Sequence, residues 1–79
     1  MDIKGVREAL HRNPFTPFTI CLADGKTEIV PHPDFVAIAG ERRIVVVRQD
    51  ETWAVIEPLL IVSLEYEAEA ASKGNGAPG

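Results

Sequence analysis

Seventy-nine residues with twelve acids, eight Lys or Arg and a net charge of −4 leave room for one small domain and argue against an electrostatic grip on nucleic acid. A single cysteine excludes an internal disulfide framework and any zinc site built on cysteine pairs. Apolar runs such as Ile44–Val47 and Leu59–Val62 are far too short to span a membrane, and the residues around Asp2 and Lys4 carry no signal-peptide core, so a cytoplasmic protein is expected.

In chain order, Asp2 is placed to cap a short helix whose apolar stripe is Ile3, Val6 and Leu10. His11 and Arg12 suit the negative end of its dipole, and Asn13-Pro14 stops it. Beyond Phe15 the period changes to two. Phe18, Ile20 and Leu22 alternate with Thr19, Cys21 and Ala23 as a half-buried strand. Asp24-Gly25 then signals a two-residue type I′ hairpin, which sets Ile20 opposite Ile29 and Cys21 opposite Glu28. Pro31 and Pro33 end the second strand because neither can donate to a ladder.

A third strand is read over Phe35–Ala39, a fourth over Ile44–Arg48, a fifth over Trp53–Glu57 and a last over Leu59–Tyr66, with turns at Gly40–Arg43 and Gln49–Thr52. The fourth and last strands are apolar on both faces, which demands cover on both sides. The expected fold is therefore mainly β: a short N-terminal helix plus a curved antiparallel sheet of five to six strands, or a small barrel. A homo-oligomer joined through strand edges would supply the remaining cover.

Residues 1–50 balance acids against bases, and the negative charge sits in residues 51–79, where five glutamates face Lys73. From residue 67 the chain has no large apolar side chain and is rich in Ala, Gly, Ser and Pro, so a disordered tail over 67–79 is expected behind a domain over 1–66.

Chemistry-bearing motifs are sparse. His11, Cys21 and His32 show no metal-ligand spacing, no nucleophile–base pair or glycine-rich phosphate loop is evident, and neither a metal nor a cofactor nor a catalytic residue is assigned. The chain is expected not to be an enzyme. His32-Pro33-Asp34 spells the HPD of J-domain co-chaperones, but that motif works between two helices and here lies between strands, where it reads as a stiffened turn. The candidate interaction residues are Trp53, the sole tryptophan, and the basic group Arg42, Arg43 and Arg48.

The run Phe18–Gly25, the segment Asp34–Ile38 and the position of Leu59–Ser63 resemble, in order, the first strand and turn, the mid-barrel segment and the subunit-pairing last strand of Sm-like small barrels, the fold of Hfq and the LSm proteins. The resemblance implies an Sm-like or SH3-like barrel over residues 2–65. Two departures count against carrying over RNA binding: Pro31-His32-Pro33 replaces the glycine that bends the second Sm strand, and Glu57-Pro58 stands where a basic or histidine signature belongs. The run from Asp24-Gly25-Lys26 to His32-Pro33-Asp34-Phe35-Val36-Ala37-Ile38 is also similar to small uncharacterised bacterial proteins of planctomycete type. The function expected is a noncatalytic protein-interaction or assembly module. Sm-like RNA binding, or a small ligand-binding barrel with Cys21 or His32 in its pocket, are the alternatives.

Overall fold

A computed structural model of the chain describes residues 2–40 and 42–67. Helix α1 covers Ile3–Leu10, and the strands are β1 (Phe18–Leu22), β2 (Thr27–Val30), β3 (Val36–Ala39), β4 (Arg43–Val47), β5 (Trp53–Ile56) and β6 (Ile61–Tyr66). The fold is mainly β, as the alternation implies. It is not a single curved sheet, and no barrel closes. The strands form two three-stranded antiparallel sheets, ordered β2-β1-β6 and β3-β4-β5. The chain passes between them at two proline-led 3-10 turns, Pro33–Phe35 and Pro58–Leu60. Phe35 and Leu59-Leu60 therefore lie in turns, not in the strands expected for them.

The helix begins as its sequence dictates: the backbone N–H of Lys4 donates to Asp2 Oδ1 at 3.0 Å, satisfying one of the donors that a helix start leaves open. Val6, Ala9 and Leu10 are buried on its inner face, against the inward rows of both sheets: Phe18, Ile20 and Val30 from one, Ile44, Val46 and Ile56 from the other. Eight residues of helix have no stability alone, and this burial is what holds α1. At its far end the Arg12 guanidinium lies 4.7 Å from the centre of the Tyr66 ring.

The first hairpin corrects the expected register by one residue. Phe18 pairs with Val30, Ile20 with Glu28 and Cys21 with Thr27. The loop has three residues, closed by Gly25 N–H to Leu22 C=O at 3.0 Å and Leu22 N–H to Lys26 C=O at 2.9 Å. Only Gly25, at φ +91°, is left-handed, as in a type I turn ending in a glycine bulge. A one-residue slip turns a whole strand over. Glu28 and Val30 consequently face inward, and Ile29 faces solvent with 64% of its surface exposed.

The β4–β5 turn repeats this loop. Glu51 N–H donates to Arg48 C=O at 3.0 Å and Arg48 N–H to Thr52 C=O at 2.7 Å. In both loops the central aspartate accepts from the backbone two residues on, Asp24 from Lys26 at 2.9 Å and Asp50 from Thr52 at 3.0 Å. The position that is Gly25 in the first loop is Glu51 in the second, at φ +73°. An L side chain there costs about 1–2 kcal/mol, part of which glycine returns as unfolded-state entropy. Glu51→Gly should stabilise the domain by about 0.5–1 kcal/mol, read as a rise in urea midpoint at unchanged slope.

At Glu67, where the tail is expected to begin, the backbone N–H donates to Pro17 C=O at 3.0 Å. Residues 68–79, and Glu41 of the third turn, lie outside the described residues.

Candidate functional site

β4 and β5 pair as Ile44 with Ile56, Val45 with Val55, Val46 with Ala54 and Val47 with Trp53. Alternation buries Ile44, Val46 and Ile56 and turns Val45, Val47, Trp53 and Val55 to the outer face. Trp53 is thus no core residue, with 64% of its surface exposed. The turn that follows leaves Leu59 82% exposed, and Leu60 and Val62 are also open to solvent. Among the described residues, Trp53, Val55, Leu59, Leu60 and Val62 are thus exposed within one short span of sequence. Sequence singled out Trp53 but not the face it shares with Val55, Val45 and Val47, which depends on the pairing of β5 with β4.

The basic residues do not converge. Arg43 lies on the outer face, where its Nη1 donates to Glu57 Oε1 at 2.8 Å and to the Arg42 carbonyl at 2.9 Å. Arg48 follows the inward parity of Ile44 and Val46 at the other end of β4. It meets Glu28 in a two-pronged pair, Nε to Oε1 at 2.9 Å and Nη2 to Oε2 at 2.6 Å. Of the three, Arg42 alone is without a carboxylate partner among the described residues. The three arginines therefore form no shared basic patch.

Glu28 was not singled out from the sequence, yet its side chain is the most buried of the ionised groups that form pairs, at 9% exposure against 40% for Arg48. No local signal announces the pair, since twenty residues separate its members. The Glu28 hydrogen bond and charge hold the Arg48 guanidinium above its ordinary pKa, against partial desolvation and with help from Asp50. Arg48 Nη1 also donates to Thr52 Oγ1 at 3.1 Å, and that hydroxyl donates to Asp50 Oδ1 at 2.6 Å. These bonds from Thr52, hydroxyl first and backbone N–H second, pull the Asp50 carboxyl below its ordinary value of 3.8.

A depressed carboxyl stabilises the fold above its unfolded pKa, and that stability is lost as the pH falls through the folded value. Asp50→Asn should therefore unfold at lower temperature than the parent at pH 7, and the gap should narrow as the pH falls below the ordinary carboxyl value of 3.8. A gap that stays constant across thermal melts from pH 7 to pH 2 would sink this account.

Beside the Glu28–Arg48 pair lies an open cleft of about 290 Å³, lined also by Ile29, Pro31, Phe35 and Gln49. Neither Cys21 nor His32 lines it. Cys21 is half-buried in β1 opposite Thr27 and Ser63. His32 caps the Pro33–Phe35 turn, its Nδ1 accepting from Asp34 N–H at 3.2 Å, and its ring centre lies 6.5 Å from that of Phe15. No group of three His, Cys, Asp or Glu that could hold a metal forms among the described residues, and no helix among them is long and apolar enough to cross a membrane. No protein-family model, curated protein or solved structure matches the chain.

Proposed function

We propose that the chain is a noncatalytic assembly module that joins copies of itself through the β5 edge and the apolar segment behind it. The exposure of Trp53, Val55, Leu59, Leu60 and Val62 within one short stretch carries this reading, because contiguous apolar surface on a small domain marks an interaction site. β5 is an edge strand. The Arg48–Thr52 bond fixes the ladder phase, so Ala54 and Ile56 turn their backbone groups to β4, whereas Trp53 and Val55 turn theirs to the open edge. Backbone donors and apolar side chains therefore occur on the same strand, the combination that strand addition uses.

An Sm-like or SH3-like relation is supported by the order of elements: one helix, then short antiparallel strands that change sheets at Pro33–Phe35 and Pro58–Leu60. In that relation the β6 edge of a neighbour receives β5. Light scattering tests the assembly reading. The parent should run as an oligomer at about 50 μM, and Trp53→Ser with Leu59→Ser should reduce it to a folded monomer, each lost apolar anchor weakening association roughly tenfold or more. A parent that is monomeric at that concentration would refute it.

A further inference from the structure

β2 is also an edge strand, and its phase is fixed in the same way. Leu22 N–H bonds Lys26 C=O, so Glu28 and Val30 direct their backbone groups to β1, and Thr27 and Ile29 direct theirs away from it. Both residues line the cleft beside the Glu28–Arg48 pair. The cleft is thus lined by a strand edge, by the apolar Pro31 and Phe35, and by Arg48. Arg48 spends three N–H groups on Glu28 and Thr52, and a guanidinium carries five. Two donors remain on a side chain that is 40% exposed.

We propose that this cleft docks an uncharged, extended peptide segment of a protein partner, which adds to β2 as a further strand. Charge complementarity selects that occupant. The Glu28 carboxylate cancels the Arg48 charge, so a free carboxylate gains little there and an ammonium meets the arginine, whereas a neutral backbone carbonyl accepts from the remaining donors. Alternating N–H and C=O groups on Thr27 and Ile29 match another extended backbone, with an apolar side chain entering between Ile29, Pro31 and Phe35. The groove is short by construction. Pro31 has no N–H to offer, and Lys26 stands at the other end of β2, two devices that keep an edge from pairing indiscriminately. The lining of the cleft includes no residue of β5, and the proposal does not depend on self-assembly.

The test is a titration of the isotope-labelled full-length chain with a capped, uncharged peptide of alternating threonine and valine, followed by amide NMR. Thr27 and Ile29 should shift and their exchange should slow, with Trp53 and Val55 unmoved. The same peptide N-methylated at alternate residues should bind about tenfold more weakly or worse, since it loses donors while the protein is unaltered. Ile29→Pro should do likewise, because it deletes an N–H that does not serve the β1 ladder. No shift at Thr27 and Ile29 up to about 1 mM peptide, equal binding of the N-methylated peptide, or shifts confined to Trp53 and Val55 would each overturn the proposal. So would concentration-dependent broadening of Thr27 and Ile29 without peptide, which would give the groove to a second copy.

Discussion

Phe18→Ala should leave the domain largely unfolded at 25 °C. Phe18 is 1% exposed and its ring lies 6.0 Å from Phe15 and 5.8 Å from Tyr66, centre to centre. It occupies the point where α1, β1 and β6 meet. Truncating a buried phenylalanine costs about 3–5 kcal/mol in transfer and cavity terms. A single core of this size rarely supplies more than about 3–5 kcal/mol in total, so the loss is comparable to the whole stability. Phe15→Leu, at a half-buried position, should cost only about 1 kcal/mol. Far-ultraviolet circular dichroism and urea melts check both. A folded Phe18→Ala protein with a midpoint near that of the parent would show that the core lies elsewhere.

The second large effect is an asymmetry across the Glu28–Arg48 pair. Arg48→Met leaves a nearly buried carboxylate at the junction of the two sheets without its counter-charge, the costly way to break such a pair. Glu28→Ala leaves an arginine that is already 40% exposed and can turn to water, so its cost should be near 2 kcal/mol, between buried and surface pairs. Arg48→Met should lose more, on the order of 10 °C in Tm or greater. Equal losses for the two variants would remove the pair from its role as the tie between the sheets. The double variant Glu28→Leu with Arg48→Met should recover much of the stability, since matched apolar replacement of an ion pair is often neutral.

Much of the local structure was legible in the residues. The aspartate cap and apolar stripe of α1, the period-two run of β1, the prolines that end β2 and the strand order along the chain all follow from interactions a few residues apart. The loop chemistry was legible only in part. Asp24-Gly25 marked a hairpin correctly, but two-residue and three-residue loops share that signal, and the choice inverted β2. The identical loop at Gln49–Glu51 could be read only as a polar turn, because glutamate fills the left-handed position that glycine would have advertised. The split into two sheets, in place of one curved sheet or a closed barrel, lay beyond any local pattern.

The same division holds for function. Sequence by itself determined what the chain lacks and what it carries: no metal-ligand or nucleophile spacing, one tryptophan, three arginines in the fourth strand and its turn, and strands apolar on both faces. Those properties depend on residue type and spacing along one segment. Only the tertiary structure decided which apolar face is buried, that Arg43 and Arg48 point to opposite sides and are engaged by Glu57 and Glu28, and that β2 and β5 present open edges. Each of these depends on which distant strand lies alongside, and pairing between residues such as Glu28 and Arg48 is set by how the two sheets pack around Phe18, Ile20, Ile44 and Val46. The small negative domain that composition describes exposes strand edges and apolar faces that composition cannot locate.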